Sequence, residues 1–405
     1  MAPQPITETA PEEVGLDPAR VAGLIATVEK LVTDGKVPSA QMAIARGGRL
    51  VALRTFGSYT SSSTGGGEHP ATADTLYAGF STTKALMSSA LWLLLEQGRV
   101  RLDEPVADVI PEFAANGKDA VLVEHLLTHT AGFPQAPFAP SDWGDREARL
   151  GRFAQWRLYS EPGSEFVYHP TATMWVVAEI IERRGGPPGS EADYRDFLRS
   201  RVIEPLALHE CHLGLAHELN SRVADVIPVG KPLEIGDAKV RLKLPPQVVP
   251  DERAFAAFNS TEYRAVGLPG GGGLMTAAAL AMFYQALIAG GVGADGTRVW
   301  AAETVARATT VHSGALLDPM SGKLASRGLG VVIAGDDDRV YRNFADTSSP
   351  RAFGHGGMGG QVAWGDPETG LSFSFLTSGF DRNPIRYGAR GVKLSSLAAA
   401  CIAEQ

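Results

Sequence analysis

Segments with strand character sit at the two ends of this chain and leave a long interval between them. Near the front, Met42–Arg46 and Arg49–Phe56 flank a Gly47-Gly48 pair, the two-residue-loop pattern of an antiparallel hairpin. A lone hairpin is marginal in water, and the later stretches that alternate or cluster like strands are 328–334, 360–365 and 371–377. The front of the chain must therefore meet its end in one sheet. Asp17-Pro18 reads as a cap with proline in the first turn, and Val21, Leu24, Ile25, Val28, Leu31 and Val32 recur at helical spacing, which predicts a helix over 18–33. Residues 392–403 read as a closing helix. The predicted fold class is α/β (α+β): an antiparallel sheet flanked by N- and C-terminal helices, with an inserted, mostly helical subdomain. The sheet-bearing subdomain takes 14–75 plus 265–405 and the insertion 76–264, within which the proline-rich stretch 226–264 forms an excursion able to shape a pocket. The Ser- and Gly-rich segment 58–70 reads as a surface loop.

Charge narrows the function classes. With 37 basic and 45 acidic side chains the net charge is −8, which disfavours a phosphate-backbone partner, so no nucleic acid is expected. The longest apolar run, Ala90–Leu95, is far below the roughly 20 residues that span a bilayer. The first 21 residues lack a basic segment followed by a continuous apolar one, so the expected location is cytoplasmic. Cys211 and Cys401 have no Cys-x-x-Cys spacing and read as buried thiols.

The first chemical candidate is Ser81-Thr82-Thr83-Lys84 ahead of the apolar helix 85–97. If the helix begins there, Ser81 and Lys84 at i, i+3 share a face, and a neutral lysine could take the serine proton beside the helix N-terminus. A Ser-x-x-Lys arises by chance about once in a chain of this composition, and Ser81 could equally be a helix cap with Lys84 solvated. The motif alone does not decide.

Other segments do. Asp103–Phe113, Leu126–Phe133 (LLTHTAGF), Pro162–Tyr168 (PGSEFVY), Gly272–Ala277, Gly328-Leu-Gly330, and Gly354–Gly357 followed by Asp366–Gly370 occur in one order. This set resembles the serine β-lactamase and penicillin-binding-protein superfamily, in particular its class C-type branch with the family VIII carboxylesterases. The similarity runs from about 15 to 380. The resemblance implies Ser81 as nucleophile, Lys84 and Tyr168 as its proton-handling partners, and the N–H groups of Ser81 and Met358 as the oxyanion hole. It implies His169, His355, Gly356 and Gly357 as substrate-binding residues. Two departures stand out: the family's Tyr-x-Asn is Tyr168-His169-Pro170, with no amide side chain, and its Lys-Thr-Gly is His355-Gly356-Gly357, a titratable group in place of a fixed cation.

No metal or cofactor is expected. Glu124, His125 and His129 do not follow the H-E-x-x-H order, and His209, Cys211 and His212 lack a fourth ligand. Gly270–Gly273 lacks the Lys-Ser/Thr of a phosphate loop and reads as a tight turn. The expected activity is hydrolysis of a small carboxylic ester, a small-molecule substrate, through an acyl-enzyme on Ser81. The alternatives are acyl transfer or amide hydrolysis on the same scaffold and, after those, β-lactamase or D-Ala-D-Ala peptidase action. A catalytically idle binding module has no physical need for three convergent ionisable groups. Oligomeric state is not legible.

Overall fold

A computed structural model describes residues 7–233 and 257–403. Its main sheet has seven strands in the spatial order Val332–Ile333, Phe353–Gly354, Val362–Asp366, Leu371–Thr377, Ser39–Arg46, Arg49–Thr60 and Glu68–Pro70. Every neighbouring pair is antiparallel. The two ends of the chain meet at its centre, where Ala40 pairs with Thr377 and Arg46 with Leu371.

Both central strands are buried along almost their whole length, so each face must be covered. Side chains alternate between two cores as the pleat requires. Met42 and Ile44 join Phe373 and Phe375 under Val21, Leu24 and Val28 of the helix Pro18–Thr33 and Leu394 of the helix Pro384–Ala399. Ala43 and Ala45 face the opposite core, which contains the helix Ala277–Ile288. Small residues let that helix approach closely: the hydroxyls of Ser372 and Ser374 donate to the carbonyls of Ala281 and Ala277 at 2.9 and 2.6 Å.

This is the α/β arrangement the sequence implied, with local corrections. Asp17 caps the first helix as expected, accepting from Ala19 and Arg20 N–H. The closing helix starts at Pro384, not 392, because Asn383 caps it with proline in the first turn and the helix tolerates a polar start. Segment 58–70 is not all loop: Arg49–Thr60 runs into it and pairs Ser58–Thr60 with Glu68–Pro70. Of 328–334 only Val332–Ile333 forms a strand. In the excursion 226–264, Ile227–Val229 pairs with Gly379–Asp381 and Ser260 caps the helix Thr261–Val266, while 234–256 lies outside the described residues.

The interposed helical region is organised around Thr83–Glu96, nearly all of whose residues are buried. It is buried on every side, apolar from Ala90 to Leu94, with Lys84, Ser88 and Ser89 among its enclosed residues. Trp92 and Trp300 pin it, the first donating from Nε1 to Leu329 O at 3.0 Å and the second to Ser89 O at 2.8 Å. Cys211 and Cys401 are free and buried, and burial pushes each thiol up to about 12. Among the described residues no helix is long and apolar enough to cross a membrane.

Candidate active site

The chain reaches Ser81 through a constrained corner. A Cβ at Gly79 would lie 2.5 Å from Thr82 Oγ1 and 2.9 Å from Met275 Cε, so the position requires glycine. Phe80 then adopts a left-handed backbone with φ of 47°, a conformation that costs a non-glycine residue of order 1–2 kcal/mol. Side chains hold the corner: Thr82 Oγ1 donates to Gly79 O at 2.9 Å, and Thr83 Oγ1 donates to Phe80 O at 2.6 Å while accepting from Gly273 N–H at 3.0 Å. The α-helix begins at Thr83, so Ser81 sits in the preceding 3₁₀ turn, where i and i+3 eclipse and Lys84 comes under the serine.

Ser81 is partly exposed and Lys84 is not exposed at all. Lys84 Nζ lies 3.3 Å from Ser81 Oγ and donates to Pro170 O at 2.7 Å and Gly270 O at 2.8 Å. Two carbonyls thus take two N–H groups, and the remaining tetrahedral position faces the serine. Burial lowers the Lys84 pKa, and the Arg327 charge lowers it further, against the opposing pull of Tyr168. A neutral amine in this place aims its lone pair at Ser81 Oγ. The tetraglycine run finds its use here: a Cβ at Gly270 would sit only 3.3 Å from Lys84 Nζ.

Tyr168 completes the group, its hydroxyl donating to Ser81 Oγ at 2.9 Å. Lys84 Nζ lies 5.1 Å from the Tyr168 ring centre. Pro170, which supplies neither amide nor N–H, contributes its carbonyl to Lys84 instead.

His355 is brought to the same place, with its ring 6.1 Å from that of Tyr168. Its Nδ1 bonds Gly356 O at 2.7 Å, so it carries the proton there, and Nε2 is a buried acceptor without a partner. Burial first, then Lys84 and Arg327, hold its pKa well below the ordinary imidazole value. Gly357 packs against the corner before Ser81 so closely that a Cβ would lie 2.4 Å from Gly79 O, and its neighbours Gly356 and Met358 are partly exposed.

His169 departs from expectation. Its ring is fully buried; Nε2 accepts from Phe133 N–H at 3.1 Å and Nδ1 donates to Val167 O at 2.7 Å. Burial holds it neutral, with a pKa of about 3. Both nitrogens are spent on the backbone, so direct contact with substrate is corrected to support of the Tyr168 segment. His129, in a left-handed cap with φ of 59°, accepts from His169 N–H on Nδ1 and stands 4.5 Å from the Tyr168 ring. Glu124 is occupied by His312 at 2.6 Å, and His125 Nδ1 accepts from Leu122 N–H. Among the described residues no group of three His, Cys, Asp or Glu could hold a metal.

The residue missed in the sequence is Arg327. Its guanidinium carbon lies 4.9 Å from the Phe166 ring centre and 5.6 Å from that of Tyr168. Its only sequence signal is its place directly before Gly328-Leu-Gly330, where a Cβ at Gly330 would collide with Ser88 of the central helix.

The family model described as Beta-lactamase matches residues 24–397. Esterase/beta-lactamase LipL of Mycobacterium tuberculosis is 27% identical over 332 residues, 76% of this chain and 70% of that protein. A penicillin-binding protein homologue from Caulobacter crescentus superposes with a TM-score of 0.76 at 31% identity, covering 96% of this chain and 99% of the other. The crystal structure of a family VIII carboxylesterase gives 0.72 at 25% identity, covering 94% and 97%.

Proposed function

The chain belongs to the beta-lactamase family, and on the premise of a serine hydrolase we propose that it is a carboxylesterase forming an acyl-enzyme on Ser81. The observation that carries this reading is the suspension of Ser81 Oγ between Lys84 Nζ at 3.3 Å and the Tyr168 hydroxyl at 2.9 Å. Neutral Lys84 takes the Ser81 proton as Oγ bonds to the ester carbonyl carbon, and the negative charge on the carbonyl oxygen faces the N–H groups of Ser81 and Met358. The proton then passes through Tyr168 to the departing alkoxide, and the C–O bond breaks to leave the acyl-serine. Water repeats the sequence and releases the acid.

An apolar wall supports an acyl group at this point. The Phe80 ring lies 4.8 Å from Phe258 and 5.6 Å from Phe380, and Met358 packs on the same cluster. Against β-lactams and peptides, Pro170 provides no side-chain amide for their amide group and spends its carbonyl on Lys84. Ser81→Ala should reduce p-nitrophenyl butyrate hydrolysis by at least about a thousandfold. Near wild-type turnover in that variant would overturn the reading.

A further inference from the structure

The positive charge that the sequence loses at His355 is present on another element. Arg327 stands at the Tyr168 ring, and among the described residues no carboxylate forms an ion pair with it. Its Nε is buried without a hydrogen-bond partner, and among the described residues no side-chain hydrogen bond is made by its Nη atoms either. Other arginines of the molecule are treated differently: Arg264 pairs with Asp225 at 2.7 Å, and Arg146 with Glu179 at 2.7 Å. Asp318 acts on Arg327 only through a charge beyond ion-pair distance, and burial still outweighs it. A guanidinium against aromatic rings without a contacting anion is costly unless a ligand supplies one. The planar fork of a guanidinium matches a carboxylate in two parallel hydrogen bonds.

We propose that Arg327 is the specificity-determining residue of this site, a carboxylate anchor, so that the preferred ester carries a second, free carboxylate group. The proposal rests on the esterase reading and deepens it. Phe166 and Tyr168 hold the guanidinium plane, and the carboxylate docks on its open edge while the ester carbonyl reaches Ser81. The anchor serves binding and exchanges no proton itself; its charge also helps hold the Lys84 pKa down, an effect common to every ester.

The test compares three esters: neutral p-nitrophenyl butyrate, mono-p-nitrophenyl glutarate with its carboxylate on the acyl side, and 4-(butyryloxy)benzoate with its carboxylate on the leaving side. Wild type should favour one acidic ester over the neutral one in kcat/KM, and which one identifies the side of the anchor. Arg327→Gln should lower kcat/KM for that acidic ester about ten- to a hundredfold more than for the neutral ester, mainly through KM. Losing the charge that helps hold the Lys84 pKa down lowers kcat for all three esters alike, so the acidic-to-neutral ratio is the readout. Arg327→Lys should restore part of the loss, and thermal melts of both variants verify folding. Equal loss on all three esters, or none on any, overturns the anchor. Glutarate binding followed by calorimetry, tighter in wild type than in Arg327→Gln, reads the anchor without turnover. If no ester is hydrolysed the esterase reading fails, and the anchor then stands or falls on glutarate alone.

Discussion

The two sides of the Ser81 pocket are finished to different degrees. On the Lys84 side every polar group has a partner: Nζ meets Pro170 O, Gly270 O and Ser81 Oγ, and the serine is also bonded to Tyr168. Across the Tyr168 ring, His355 Nε2 and Arg327 Nε are buried and have none. Buried polar atoms are almost always satisfied, so the completed side reads as preorganised chemistry and the incomplete side as recognition awaiting a ligand.

The comparison breaks first at Lys84. Lys84→Met keeps the length of the side chain but removes the base, and kcat for an activated ester should fall about a thousandfold or more with little change in KM. Comparable turnover would place the base elsewhere. Tyr168→Phe keeps the ring that Arg327 and His355 face and deletes only the hydroxyl. A drop of about a hundredfold in kcat is expected, smaller for esters with good leaving groups, which need less help from an acid. A uniform loss across leaving groups would remove Tyr168 from the proton path.

Acid gives the smallest and most distributed effect. His129, His169 and His355 are buried and neutral, with pKa values held down by burial, His169 to about 3. Unfolded, each would take a proton near pH 6.5, so between about pH 6.5 and 3 the unfolded chain binds more protons and stability falls as pH falls. Thermal melts should show Tm decreasing across that window, with a shallower slope in His169→Gln. A flat profile would mean these rings are not kept neutral.

Much of the architecture is legible in the amino-acid sequence because it is written in local patterns. Asp17-Pro18, the Gly47-Gly48 hairpin and the period of Val21 to Val32 act within a few residues of themselves. Ser81, Lys84 and Tyr168 are legible because several segments recur in one order. What escapes is convergence. Nothing near position 327 says that its guanidinium ends beside Tyr168, and nothing near 169 says that both ring nitrogens turn to Phe133 and Val167. The closing helix is a different kind of miss: an apolar run marks where it packs, while its cap at Asn383 marks where it begins.

The pairing of Ser39–Arg46 with Leu371–Thr377 has a consequence in time. Thr377 Oγ1 donates to Ser39 O across 338 positions of sequence, so during synthesis the ribosome releases the first half of this ladder long before its partner exists. Met42 and Ile44 must wait, uncovered, while the rest of the polypeptide emerges, and such a nascent strand invites chaperones or aggregation. The sheet therefore closes only after Leu371–Thr377 has emerged, and cutting away that strand would leave a translation product without the central pairing of its sheet.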